Sequence, residues 1–327
     1  MQKCLRSSTH ILTIILLTLR TPSVDCEAME TTFKAYNTTM KVDGSLYSVT
    51  ITYPGTKSGA PFPVIIFAHG LCAEKGWYNW LSPTSLNVTC ILLKFTVFNR
   101  TAVKIYDWVN GIEHAISLLD DLNTGQDTTL FQNMIDLSRI GVIGHSMGAI
   151  AAVISAAQDA RIKVLSLLAP ADKTRDVHTG YWVLDAYIDG IDWVAVNQAA
   201  SQLRVPTQII VGDQDVFSWN SSLNPENAKI LFDTIPADTP KELVLVKNGT
   251  HCYFLDNATV TLGSLLDLYF DFPKSIRRII SQYNGVVTGS IIEISEGILG
   301  EASSTLSVEE QHTIALQNIN RWLNDYL

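Results

Sequence analysis

The chain has 327 residues, of which 47% are hydrophobic, and carries a formal net charge of -9. That length and apolar content suffice to bury a large core as one α/β domain, with or without insertions, and they exclude a disordered chain. The acidic balance and the lack of any Lys/Arg cluster exclude a nucleic-acid surface, which needs concentrated cations against phosphate; a neutral or apolar substrate fits better.

Residues 1 to 26 place Lys3 and Arg6 ahead of the apolar run Ile11 to Leu19, followed by a polar stretch with Pro22 and Ser23. This is the pattern of a signal peptide. The run falls short of the about 20 apolar residues that a membrane span needs, so no integral span is expected once the signal is removed. Cleavage after Cys26 or Ala28 removes Cys4 and Cys26, and it takes away Lys3, Arg6 and Arg20 against Asp25, leaving a more acidic chain that begins at about residue 27. N-x-S/T sequons fall at Asn37, Asn87, Asn99, Asn220, Asn248 and Asn257. Behind an entry signal they predict a secreted, extracellular glycoprotein. Cys72, Cys90 and Cys252 remain; Cys90, at the head of Cys90-Ile91-Leu92-Leu93, reads as a buried small hydrophobe.

Further along, Val49, Ile51 and Tyr53 alternate within a strand over Lys41 to Pro54, and Pro54-Gly55 leads to the continuous apolar strand Pro63 to Ala68. Similar runs recur at Cys90 to Leu93, Ile140 to Ile143, Val164 to Leu168, Thr207 to Val211 and Leu243 to Val246. Helical patterns separate them. In 102 to 122, Ile105, Trp108, Val109, Ile112, Ile116 and Leu119 share one face. Ser307-Val308-Glu309-Glu310 is a capping box ahead of a last helix striped by Leu316, Ile319, Trp322 and Leu323. Alternating strands and helices predict a doubly wound, mostly parallel sheet with helices on both faces.

Such a sheet gathers its chemistry at the carboxyl ends of its strands. Gly144-His145-Ser146-Met147-Gly148 directly follows the strand Ile140 to Ile143 and precedes the small, apolar helix Ala149 to Ile154, the context of a nucleophile elbow with glycines on both sides of a strained serine. A serine needs a base to take its proton, and the base needs a carboxylate to fix its tautomer. His251 lies just beyond a late strand, in the turn Asn248-Gly249-Thr250-His251. The turn Gly212-Asp213-Gln214-Asp215 supplies the carboxylate; spacing alone leaves Asp213 and Asp215 as alternatives. His69-Gly70-Leu71 can aim backbone N–H groups at a developing oxyanion. His69 is expected to support that loop, His145 to be the variable position of the elbow, and His114, His178 and His312 to be solvated. No H-E-x-x-H or paired-Cys motif occurs, so neither a catalytic metal nor a cofactor is predicted.

The stretches Ile66 to Leu71, Leu137 to Gly148, Pro206 to Asp215 and Asn248 to His251 together resemble the α/β-hydrolase superfamily. The resemblance spans about Val49 to Cys252 and is nearest to the cutinase-like polyester hydrolases, chlorophyllases, dienelactone hydrolase relatives and platelet-activating-factor acetylhydrolases. It implies an α/β-hydrolase fold over residues 27–327 and a serine esterase with Ser146, Asp215 and His251 as the triad. Here Asp215 is preferred to Asp213, because the family's acid is the second carboxylate of that turn. The resemblance also implies oxyanion amides at Leu71 and Met147, with Gly70, Cys72, Ala171 and Cys252 lining the cleft. The expected substrate is a small-molecule or lipid-like ester; a phospholipase-type acylhydrolase, a peptidase and a non-catalytic binding protein are the alternatives.

The chain departs from the polyester hydrolases at Leu71, where they carry an aromatic residue, and at Ala171 after Leu168-Ala169-Pro170, where they usually carry tryptophan. Residues 172–203, with Tyr181, Trp182, Tyr187 and Trp193, are expected to form either a small cap or an insertion packed on the body. Residues 253–305 are about fifty more than such hydrolases place before the last helix; Leu262 to Phe272 and Ile276 to Ile280 are apolar enough to make a lid, a lipid-facing surface or an enlarged body. Cys72 and Cys252 each follow a residue assigned to the site and are expected to border one cleft, where a disulfide needs Cα atoms about 4.4 to 6.8 Å apart.

Overall fold

The computed structural model describes residues 32–71, 73–97, 105–125, 129–170, 192–215, 224–256 and 305–327. The expected signal segment, Cys72, Ala171 and the greater part of 172–203 and 253–305 lie outside the described residues, and with Cys72 so does the choice between a Cys72–Cys252 disulfide and two thiols lining the cleft.

Eight strands form one sheet: β1 (Phe33–Val42), β2 (Ser45–Pro54), β3 (Phe62–Ala68), β4 (Ile91–Thr96), β5 (Ile135–His145), β6 (Ile162–Leu168), β7 (Thr207–Gly212) and β8 (Lys241–Val246). Their order is β1-β2-β4-β3-β5-β6-β7-β8. The pairings β1/β2 and β2/β4 are antiparallel, and every other pairing is parallel. The expected mostly parallel, doubly wound sheet is therefore present, led by a hairpin. The single strand expected over Lys41 to Pro54 is the second arm of that hairpin. Asp43 and Gly44 both have positive φ (47° and 87°), which is the demand of a two-residue type I′ turn and the reason Asp-Gly occupies it.

Period-two alternation sends neighbouring residues of β3 to opposite layers. Val64 and Ile66 meet the helices α1 (Ile105–Thr124), α2 (Met147–Gln158), α3 (Trp193–Gln202) and α4 (Asn224–Thr234), in a core with Trp108, Ile112, Ile150 and Leu231. Ile65 and Phe67 meet α5 (Val308–Tyr326) through Ile319, Trp322 and Leu323 on the other face. All seven residues of β3 are buried, which accounts for its unbroken apolar run. The residues of 172–203 that are described pack on the body: Val196, Ala199 and Ala200 of α3 are buried in the same core as α2.

One connection departs from the expected alternation. Between β3 and β4 the described chain holds only a 3-10 turn, Lys75–Trp77. Side chains from elsewhere hold this irregular segment. The buried Lys94 ammonium donates to the carbonyls of Tyr78 (3.1 Å) and Leu81 (3.3 Å), and burial lowers its pKa. The Asp256 carboxylate accepts from the backbone N–H groups of Asn79 (2.8 Å) and Trp80 (3.1 Å). On the far side, Asn320 accepts from the Asn87 amide and donates to the Ser85 carbonyl. Cys90 lies just ahead of β4, fully buried, and burial pushes its thiol up to about 12.

The α5 capping box forms as read: Ser307 Oγ accepts from the Glu310 N–H at 3.1 Å and Glu310 Oε2 accepts from the Ser307 N–H at 2.8 Å. Ser307→Ala is expected to destabilise the protein by about 1 kcal/mol, read as a lower urea midpoint with an unchanged slope.

Candidate active site

The site is built from the carboxyl ends of β3, β5, β7 and β8. At the end of β5 the chain turns abruptly into α2, leaving Ser146 at φ 53° and ψ -116°. A non-glycine residue held there costs on the order of 1–3 kcal/mol; the bond from its N–H to the Leu168 carbonyl (2.9 Å) holds it in place. The flanking glycines are required by approach. A Cβ at Gly148 would lie 2.2 Å from the Ala68 carbonyl oxygen, and one at Gly144 would lie 2.4 Å from the Gly148 oxygen. Met147 opens α2, so its amide belongs to the first turn, where helix N–H groups have no acceptor within the helix.

Asp213 and Asp215 have different tasks. Asp215 is fully buried, and its Oδ2 lies 3.0 Å from His251 Nδ1. Asp213 instead accepts the Asn248 N–H through Oδ1, and its own N–H donates to Val246. A further bond from the Gln214 N–H to the Gly249 carbonyl joins the two turns, so the acid and the histidine sit on one stitched unit. Because the carboxylate only accepts, His251 Nδ1 carries the hydrogen and Nε2 is left as the basic nitrogen. Both side chains are nearly closed off from solvent, which strengthens their interaction.

His251 is also held through its backbone. The buried Gln311 side chain accepts the Thr250 N–H (2.9 Å) and donates to the Thr250 carbonyl (2.8 Å). His145 Nε2 lies 3.2 Å from the His251 carbonyl, and the two imidazole rings are 4.9 Å apart. On the opposite side of the elbow, a Cβ at Gly70 would meet His145 Nδ1 at 2.9 Å and Ser146 Cβ at 3.3 Å, so the Gly70-Leu71 loop abuts the serine. His69 shapes that loop as expected. Its Nε2 accepts the Val97 N–H, leaving Nδ1–H to donate to the Gly70 carbonyl at 2.7 Å.

Of the residues expected at the site, Ser146, Asp215, His251, Gly70, Leu71, Met147 and Cys252 thus come to one edge of the sheet; Cys252 is buried at the start of the 3-10 turn Cys252–Phe254. Cys72 and Ala171 are outside the described residues. His312 corrects its expectation: it is buried, stacks on Trp80 at 4.5 Å between ring centroids, and has a pKa lowered by burial. Sequence reading missed Gln311, Tyr78, Lys94 and Asp256. Gln311 left a trace, since it lies four residues before Ala315 and eight before Ile319 on the buried face of α5, where a lone amide must find buried partners.

A serine on a left-handed corner after a central parallel strand, with a histidine and its carboxylate on loops after later strands, defines an α/β hydrolase. The chain belongs to the PET hydrolase-like family, whose family model matches residues 21–196. It is also 25% identical over 202 residues to the bis(hydroxyethyl) terephthalate hydrolase of Streptomyces coelicolor (strain ATCC BAA-471 / A3(2) / M145), an alignment covering 62% of this chain and 54% of that protein. The chain therefore spans about half the length of this curated relative. The family match includes Gly70, Leu71 and Ser146, whereas Asp215 and His251 lie beyond it.

Gln311→Leu keeps the volume and removes both bonds to Thr250, stranding a buried N–H and C=O. A loss of about 2–5 kcal/mol is expected, measured by chemical denaturation against Ser307→Ala as the milder control on the same helix.

Proposed function

We propose that the protein is a serine carboxylic-ester hydrolase working through an acyl-enzyme. The observation that carries this reading is the buried His251–Asp215 pair at 3.0 Å, on the same sheet edge as the strained Ser146. Ser146 Oγ attacks the ester carbonyl carbon while His251 Nε2 takes its proton. Asp215 keeps the imidazole in the required tautomer and balances the imidazolium. The Leu71 and Met147 amides receive the tetrahedral oxyanion, each such donor being worth roughly 10² to 10³ in rate. His251 then passes the proton to the leaving alcohol. Water, deprotonated by the same nitrogen, releases the acid and restores Ser146.

The similarity to a bis(hydroxyethyl) terephthalate hydrolase, an enzyme named for hydrolysis of an ester, supports this reaction class. The substrate is a small-molecule or lipid-like ester; an aliphatic Leu71 in the oxyanion loop gives an acyl group an apolar contact without an aromatic wall. Secretion through the 1–26 signal accompanies this reading. Among the described residues no helix is long and apolar enough to cross a membrane. Among the described sequons, Asn37 and Asn87 are exposed and open to glycosylation, whereas Asn248 is half-buried and donates through Nδ2 to Thr305 (2.9 Å).

Ser146→Ala is expected to lower turnover of nitrophenyl esters by about 10⁶ and to abolish labelling by a fluorophosphonate; near-normal hydrolysis by that variant refutes the assignment. Peptide mapping of protein from a secreting eukaryotic host, with and without glycosidase, is expected to find glycans at Asn37 and Asn87 and an unmodified Asn248. A glycan at Asn248 overturns that part of the reading.

A further inference from the structure

Resting on the esterase reading above, we infer that Tyr78 and His145 are positioning residues that couple the oxyanion loop to the general base through one directed chain of hydrogen bonds. The chain runs from the Gly70 N–H to Tyr78 Oη (3.1 Å), from Tyr78 Oη to His145 Nδ1 (2.8 Å), and from His145 Nε2 to the His251 carbonyl (3.2 Å). Its direction follows from the chemistry of the groups. A carbonyl only accepts, so His145 Nε2 carries the hydrogen. Complete burial, and then the proximity of His251, keep the His145 pKa well below its ordinary value, so the ring is neutral and Nδ1 presents a lone pair. The Tyr78 hydroxyl must then donate to Nδ1, leaving its oxygen to accept from Gly70.

Each end of this chain is one step from a reacting group. Gly70 precedes Leu71, His145 precedes Ser146, and the last acceptor is the backbone of His251 itself. Neither intermediate has freedom to drift. Tyr78 is fully buried with its ring 4.6 Å from that of Phe67, and Lys94 holds its carbonyl. His145 lies between the rings of Tyr78, His251 and Phe254, at 5.6, 4.9 and 5.6 Å. The position inside the elbow, which the motif leaves open to any residue, is therefore the joint between the oxyanion-loop and histidine segments of the site. A small displacement of one segment is passed to the others, and a misplacement of about 1 Å in such a site can cost about 10² in rate.

The test is a double-mutant cycle with Tyr78→Phe and His145→Phe, which keep ring packing and remove the bonds, assayed on p-nitrophenyl butyrate well below the unfolding temperature. Each single variant is expected to lose about 10- to 100-fold in kcat with KM changed less than about twofold, and to be labelled more slowly by a fluorophosphonate in proportion. The double variant is expected to be no slower than the worse single one, because the chain breaks only once. Retention of kcat within twofold in folded Tyr78→Phe, or losses that multiply in the double variant, overturns the coupling. If Tyr78→Phe does not fold, His145→Gln is read in its place, with the same kcat loss expected and unchanged kcat counting against the proposal. A wild-type protein that hydrolyses and labels while the variants stay active refutes the coupling alone; a wild type that does neither refutes the esterase reading, and the coupling falls with it.

Discussion

Everything at this site depends on one backbone corner. Ser146 sits at a positive φ that its own side chain disfavours, and it stays there because α2 and β3 approach so closely at Gly148 that no larger residue fits between them. The strain is local, but the packing that enforces it involves a strand buried along its whole length and a helix whose first ten residues are all buried. The serine is displayed by a core that has no other way to close. This is why a five-residue motif is informative only together with the apolar strand before it and the small, apolar helix after it.

Around that corner the remaining groups are held by bonds to their backbones more than to their side chains. Thr250 is clamped by Gln311, His251 by His145, Gly70 by Tyr78 and His69, and the Asp213 turn by the Val246–Gly249 turn. Polar groups at these depths have to be satisfied, and here the satisfaction is arranged so that each loop is tied to a different element. A precise constellation can then be assembled on loops, provided that the tying side chains are themselves fully buried, as Tyr78 and Gln311 are.

The legible parts of the chain were those governed by local periodicity. The parallel strands, the amphipathic face of α1 and the capping box of α5 are written in neighbouring residues, and the strand-end positions of Ser146, Asp215 and His251 follow from them. Asp213 and Asp215 were not separable by spacing, since both sit in one turn; the structure separates them by which backbone and which ring each one meets. The hairpin was under-read because β1 is an edge strand with few buried positions, although Asp43-Gly44 announced the turn. The β3–β4 connection was illegible in principle. Its order comes from Lys94, Asp256 and Asn320, none of which is a sequence neighbour, and a lysine inside an apolar strand gives no hint of which carbonyls it will serve.

That connection has a consequence for how the protein comes to be. Its anchors are among the most distant contacts in the chain: Trp80 Nε1 donates to the Phe254 carbonyl, Asn79 meets Asp256, and Ser85 and Asn87 meet Asn320, across 174 to 235 residues of sequence. During synthesis the segment bearing Tyr78 is made long before its partners, since Asp256 follows Asn79 by 177 residues and Asn320 follows Asn87 by 233. Loops of that length are slow to close. The oxyanion side of the site therefore depends on the end of the chain, and a chain interrupted between α2 and α5 keeps the Gly144 to Gly148 corner in its sequence but lacks the Asn320 anchor of the β3–β4 connection.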